Sequence, residues 1–333
     1  MLSVVVSLTP VLLFLSALIF LDSYKLVTLR SVLVTIALGC VLALGAYALS
    51  ELMLMLVKID DHNFRRYVAP IIEESLKGVY VIYLIRGRKV GFMVDAAIAG
   101  FAAGTGFALV ENVIYLSMNF NMNLLYWLIR GLGTAIMHGG ATSIFAIVTK
   151  NLSDRHPSLT FTDTFLGMAI AIIIHSLFNH FFLDAVYSTL IVLIVVPVIL
   201  MVVFHASEQA TRHWLRLGLD TDLEILEMIN TGTVSESVIG SYLQNLKSRF
   251  PDEKIADMIC LLRIHTELSI RAKGLLLMRK GGYRAGPGPD TKEKFDELQY
   301  LEKSIGTTGR RAIAPILRTS SRDLWQIHML QAV

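Results

Sequence analysis

Seven residues combine types and spacings suited to splitting a polar bond with water: Glu73, Glu74, Lys77, Glu111, His138, His175 and Asn179. Carboxylates and imidazoles act as general bases toward water, and the same groups offer O and N ligands to a divalent cation. On a helix, Glu73 and Lys77 share a face because they are four residues apart, as do His175 and Asn179, and Phe107 lies one turn before Glu111. Each signal alone has a plainer reading. Glu73 with Lys77 could be an internal ion pair that only joins helices, Arg130 reads as a marker of the outer membrane interface, and His180 reads as a hydrogen-bonding residue. Glycines in such helices are more often packing devices than hinges.

The elements that position these residues must lie in a bilayer. Hydrophobic residues make up 54% of the 333 and charged residues 17%, and the mean hydropathy is +0.59, outside the usual range of soluble domains. The charge is unevenly spread: residues 1–206 hold 12 of the 30 Lys and Arg and 11 of the 27 Asp and Glu. This composition argues against disorder and a secreted disulfide scaffold. A formal charge of +3 is too small to imply a nucleic-acid partner. Cys40 and Cys260 fall in separate parts of the chain, which argues against a disulfide framework or a cysteine metal site.

Seven runs have about the 20 mainly apolar residues needed to cross a bilayer: 3–21, 32–57, 67–85, 92–116, 126–149, 163–183 and 185–205. The expected fold is an all-α polytopic membrane protein of about seven transmembrane helices, with a small helical cytoplasmic region after them. The division is 1–206 for the membrane domain and 207–333 for the tail. Within the tail, 222–229, 255–278 and 292–304 have helical spacing, and a Gly/Pro linker falls near 281–289. The first run has no Lys or Arg ahead of it, so it reads as a retained span rather than a signal peptide.

Loop charges orient the chain. With the N-terminus outside, the inner loops hold Lys25, Arg30, Arg86, Arg88, Lys89, Lys150, Arg155, Arg212 and Arg216, whereas the outer loops hold only Lys58, Arg65 and Arg66. That is nine against three for N-outside and C-inside. At 1.5 Å per residue, Glu73 and Glu74 then lie about 9–10 Å below the outer end of their span. Glu111, His138, His175 and Asn179 also fall in the outer half of the membrane, while Asp95 sits near the inner end of the fourth span. Ionisable groups inside spans cost about 2.5–3.5 kcal/mol each to insert, which makes these residues functional candidates by default. Small residues in the fourth and fifth spans, among them Gly100, Gly104, Gly139 and Gly140, let helix backbones approach closely.

In order and spacing these residues resemble the PrsW family of intramembrane proteases. Glu73-Glu74-Ser75-Leu76-Lys77 looks like its EExxK motif and Phe107-Ala108-Leu109-Val110-Glu111 like its FxxxE motif, with His138 and His175 downstream. The related type II CAAX prenyl proteases carry EExxxR, FxxxH and HxxxN, and His175-Ser176-Leu177-Phe178-Asn179 matches the last. Lys77 at shorter spacing and Glu111 in place of His both depart from the prenyl proteases toward PrsW. The resemblance covers about residues 67–180. It implies a protease of the bacterial cytoplasmic membrane that cuts a membrane-protein substrate, such as an anti-sigma factor, on its extracytoplasmic side.

Two forms of the chemistry stay open. In one, His138, His175, Glu111 and Glu74 supply the ligands of a divalent ion such as zinc and a remaining glutamate is the base toward water. In the other, Glu73 or Glu74 activates water directly, and His175 with Asn179 stabilises the oxyanion. Lys77 anchors a carboxylate in both. No HExxH helix is present, and the abundance of His and Glu favours the metal form. Two other classes compete. A proton-coupled transporter would use the same residue types, but the two halves show no repeat of the motifs. A membrane scaffold or receptor would signal through residues 207–333.

Overall fold

The computed structural model describes residues 2–57, 59–118, 123–155, 159–180, 182, 184–283, 286–317 and 321–331. All regular elements among them are helical: α1 (Leu2–Leu21), α2 (Leu29–Leu56), a single turn α3 (Asp61–Asn63), a π-helical turn (Phe64–Val68), α4 (Ala69–Arg86), α5 (Met93–Met118), α6 (Leu124–Ser153), α7 (Phe161–His180), α8 (Ala185–Thr231), a 3-10 turn (Thr233–Glu236), α9 (Val238–Leu246), α10 (Asp252–Lys280), α11 (Thr291–Ile313) and α12 (Ser321–Gln331). The chain forms two compact units, Met1–Glu208 and Gln209–Val333.

Five helices of the described chain, α2, α5, α6, α7 and α8, are long and apolar enough to cross a membrane, and Val5–Leu21 of α1 is a shorter apolar stretch. Seven spans were expected. The difference at α4 has a physical cause, since its 18 residues carry Glu73, Glu74, Lys77 and Arg86, and the site charges themselves lower its apolarity. In the first unit α5 and α6 are central, 78% and 83% buried over their apolar windows, against 17–28% for α2, α7 and α8. The outer helices turn large apolar side chains such as Phe20, Met55, Phe165 and Met201 outward. In water that surface would be unfavourable by about 25 cal/mol per Å²; in a bilayer it faces lipid.

Local chemistry sets the helix ends. Thr28 caps α2 by accepting from Ser31 N, and Asn123 caps α6 by accepting from Tyr126 N, each satisfying a backbone donor left over at a helix start. Asp95, within the first turn of α5, accepts from the backbone N–H groups of Gly91 and Phe92, both at 2.7 Å, and so holds the approach to that helix.

The contact between α5 and α6 fixes His138. A Cβ on Gly104 would fall 2.3 Å from the His138 carbonyl oxygen, so only glycine admits the α6 backbone at this point. Ser143 Oγ donates to the Ala97 carbonyl at 2.8 Å further along the same contact. Together these set the register in which α6 presents His138 toward α4.

In the second unit α10 packs on α11 and α12, around buried Met258, Leu262, Leu268 and Leu276. The helix expected to end near 205 continues to Thr231. The segment after 205 has no proline, and Gly232, in the left-handed region at φ 77°, comes directly after the last helical residue. Between α10 and α11, Gly282 and Gly288 also take positive φ, in the Gly/Pro-rich break.

Candidate functional site

Four helices bring the ionisable residues together. From α4, Glu74 and Lys77 are fully buried and paired at 2.5 Å, while Glu73, on the adjacent helical position, is half-buried. From α5 comes Glu111, from α6 His138, and from α7 His175, whose ring meets that of His138 edge-on at 4.8 Å between centroids. Phe107 covers the cluster, 5.5 Å from the His138 ring and with the Lys77 ammonium 4.8 Å from its own ring centre.

The hydrogen bonds divide the carboxylates by task. Glu74 Oε1 takes Lys77 and the Nδ1 of His175, the latter at 2.8 Å, and Thr142 Oγ1 approaches its other oxygen at 3.5 Å. With Nδ1 engaged, His175 turns Nε2 toward Glu73, 3.9 Å away. Lys77 Nζ also lies 3.2 Å from His138 Nδ1. An ammonium has no lone pair, so Nδ1 of His138 is the acceptor and Nε2 carries the proton, which it donates to Glu111 Oε2 at 2.7 Å. The second oxygen of Glu111 accepts from Arg130 Nη2 at 2.9 Å.

One ligand atom from each of Glu73, His138 and His175 lies within 4.8 Å of the others. Two imidazoles and one carboxylate are a donor set of catalytic zinc sites, which keep a further position open. Glu74 behind His175 and Glu111 behind His138 supply the carboxylates that orient ligating histidines. The three side chains fit a divalent cation on condition that His138 exchanges its contact with Lys77 for the ion and keeps its bond to Glu111. The grouping differs from the set expected from sequence, in which Glu74 and Glu111 were ligands alongside the two histidines: both are held by cations and imidazole nitrogens, and Glu73 is the carboxylate of the group.

Asn179 stands apart. Its Nδ2 donates to the Arg65 carbonyl at 2.9 Å, one turn from Ser176, whose Oγ donates to the Arg66 carbonyl at 2.6 Å. Both bonds hold the π-helical turn Phe64–Val68 that leads into α4, and such turns recur where a helix must be re-aimed at a functional site. His180 completes the clasp: its carbonyl accepts from Arg66 Nη2 at 3.2 Å, and its ring meets Tyr67 edge-on.

Arg130, expected to mark the interface, pairs with Glu111 and stacks over Tyr115 at 3.4 Å. The signal was available, since Arg130 and His138 lie eight residues apart on one face of α6. Thr142, one turn beyond His138, was missed for a different reason. A threonine in an apolar helix commonly returns its hydroxyl to the carbonyl four residues back, as Thr142 does at 2.9 Å.

Carboxylates and imidazoles are thus gathered between apolar helices, in the side-chain pairs His175–Glu74 and His138–Glu111, residue types suited to hydrolysis inside a membrane. Residues 28–206 match a family model described as PrsW family intramembrane metalloprotease, and the chain belongs to the PrsW family. It is an intramembrane protease, whose substrates are membrane proteins in the bilayer. Neither the curated proteins nor the solved structures yield a match to this chain.

Proposed function

We propose that the chain is an intramembrane endopeptidase whose hydrolytic centre is the group Glu73, His138 and His175, acting on a membrane-protein substrate in the extracytoplasmic half of the bilayer. The convergence of those three ligand atoms within 4.8 Å carries the reading. In the proposed topology α1 and α4 also span, giving seven crossings with the N-terminus outside and residues 207–333 in the cytoplasm of a bacterial cell. The nine-to-three asymmetry of loop Lys and Arg supports that orientation. An anti-sigma factor is the substrate class that the family resemblance suggests.

A divalent cation such as zinc, held by Glu73, His138 and His175, would polarise the scissile carbonyl and lower the pKa of water. The chain's own groups do the rest. Glu74 keeps the proton of His175 on Nδ1 and leaves Nε2 as a lone-pair donor. Lys77 donates to Glu74 and Arg130 to Glu111, which holds each carboxylate in place beside its histidine. Glu111 receives the proton of His138 Nε2 as a hydrogen bond, so it is placed to take and return a proton during bond cleavage. The half-exposed side of Glu73 and Glu111 gives water and substrate access.

A metal-free form is favoured by one observation: both ring nitrogens of His138 already have hydrogen-bond partners, Lys77 and Glu111. There Glu73 is the base toward water, and His175, with Nδ1–H on Glu74, would meet the developing oxyanion only after taking a second proton on Nε2. Metal analysis of the purified full chain separates the two. The metal form predicts about one bound divalent ion per chain, lost together with cleavage on treatment with a strong chelator and lost in His175→Ala. Full activity after complete chelation would establish the metal-free form.

A further inference from the structure

The π-helical turn ahead of α4 carries two consecutive arginines whose side chains part company. Their backbone is fixed from α7, since Asn179 and Ser176 hold the carbonyls of Arg65 and Arg66. The Arg66 side chain returns to the same helix, where Nη2 donates to the His180 carbonyl at 3.2 Å. The Arg65 side chain is exposed and crosses the other way, to α5, where Nη1 donates to the Tyr115 hydroxyl at 3.0 Å. A guanidinium has five N–H donors. Tyr115 is the one side-chain partner of Arg65 among the described residues, so most of its donors still face the open side.

Tyr115 ties this arginine to the site. Its ring centre lies 3.4 Å beneath the Arg130 guanidinium, Arg130 holds Glu111 at 2.9 Å, and Glu111 meets His138 at 2.7 Å. Arg65 therefore stands on the rim above Glu111 rather than turned away from it. The neighbouring acids are committed elsewhere. Glu111 is divided between Arg130 and His138. Both oxygens of Asp60 are spent at the start of α3, on the backbone N–H groups of His62 and Asn63 and on Asn63 Nδ2. Asp61, four residues before Arg65, makes no ion pair with it among the described residues. The rim thus presents an exposed cation that no carboxylate of the described chain neutralises.

Its height above the hydrolytic centre follows from the helix. Arg65 precedes Glu73 by eight residues, roughly 12 Å at 1.5 Å per residue. A substrate backbone extended beside the cut rises about 3.3 Å per residue, so it passes this level roughly three to four residues from the scissile bond, and the length of an arginine side chain widens the reach. We propose that Arg65 selects substrates bearing an Asp or Glu about two to four residues to the outer side of the scissile bond. Its free N–H donors take the carboxylate, in the fork geometry that suits guanidinium and carboxylate, while Tyr115 holds the group over the rim. The inference rests on the proteolytic reading of the site. A lipid phosphate is the other anion at a membrane interface, but a cation spent on lipid would serve every substrate alike.

The test maps new protein termini in membranes of cells carrying the full chain as wild type, Glu73→Gln, Arg65→Gln, Arg65→Lys or Arg65→Glu at equal membrane-inserted levels. Sites cut with the wild type and uncut with Glu73→Gln are the protein's own. Among them Asp or Glu should be enriched about two to four residues to the outer side of the cut. Arg65→Gln should lower cutting at acid-bearing sites about two- to fivefold relative to the others, the worth of one exposed ion pair. Arg65→Lys should keep the preference, and Arg65→Glu should move it to Lys or Arg. Glu73-dependent sites without acidic enrichment would overturn the proposal and leave the proteolytic reading standing. So would an equal fall at acid-bearing and neutral sites in Arg65→Gln, the outcome expected of an arginine spent on lipid phosphate. Absence of any Glu73-dependent site would overturn the proteolytic reading itself, and the proposal with it. Should Arg65→Glu fail to insert, the enrichment and Arg65→Gln decide the question.

Discussion

Glu74 Oε1 and His175 Nδ1 lie 2.8 Å apart, and this one contact turns the other nitrogen of the imidazole toward Glu73. The two consecutive glutamates therefore do different work. Glu74, with Lys77 at its back, is a buried support, whereas Glu73 reaches the space that water can enter.

The Glu74–Lys77 pair makes a first prediction. Removing one partner of a buried ion pair leaves the other uncompensated and costs about 3–5 kcal/mol. Lys77→Met should lower the thermal midpoint and membrane-inserted level of the protein, whereas Glu73→Gln, at a half-exposed carboxylate, should leave both nearly unchanged. Equal stability of Lys77→Met and wild type would show that the pair is not structural.

Asn179 gives a second. Loss of a direct oxyanion donor costs about 10²–10³-fold in turnover. Because its amide is spent on the Arg65 carbonyl, Asn179→Ala should lower cleavage by about tenfold or less, and Ser176→Ala, which loosens the same turn, should do the same. A loss of about 10³-fold in Asn179→Ala alone, with Ser176→Ala silent, would return Asn179 to the oxyanion.

Topology supplies a third. In a background where Cys40 and Cys260 are replaced by serine, single cysteines at Asp61 and Arg88 should react with an impermeant maleimide from opposite sides, Asp61 from outside intact cells and Arg88 only after lysis. The reverse pattern would place the site in the inner half of the membrane.

Much of this arrangement is legible in the sequence, and the limits are physical. Apolar length and the 3.6-residue period locate α2, α5, α6 and α7, and the 1.5 Å rise puts Glu73, Glu74, Glu111, His138 and His175 at one depth. Depth says nothing about how each helix is rotated against its neighbours. Which carboxylate backs a histidine and which faces the open space depends on that rotation, here set by Gly104 against the α6 backbone and by the π-helical turn ahead of α4. Spacing groups Asn179 with His175, yet the side chain of Asn179 follows the backbone of the turn it holds. Arg130 reads as an interface residue because its partner, Glu111, is on another helix. The continuation of α8 past 205 is a matter of missing stop signals, which are weaker evidence of structure than the signals themselves.

His265 makes the pH prediction. Its folded pKa is lowered, chiefly by burial, while in the unfolded chain it titrates near 6.5. The unfolded state therefore takes up the proton first. The stability this residue contributes is complete above about pH 6.5 and is lost as the pH falls below that value. Melts of the full chain followed by Trp fluorescence should show a lower midpoint at pH 5.5 than at 7.5, and His265→Gln should shrink that difference. An unchanged difference in the variant would exclude His265 as the titrating group.

The most direct measurement of the central claim is a comparison of membrane-protein fragments in cells carrying wild-type protein or Glu73→Gln at equal membrane-inserted levels. Loss of a well-placed general base or ligand lowers turnover by about 10²–10⁴-fold, so at least one cleavage product present with the wild type should vanish with the variant, and His175→Ala should reproduce the loss. Persistence of every wild-type fragment in both variants would contradict a hydrolytic centre built on Glu73, His138 and His175.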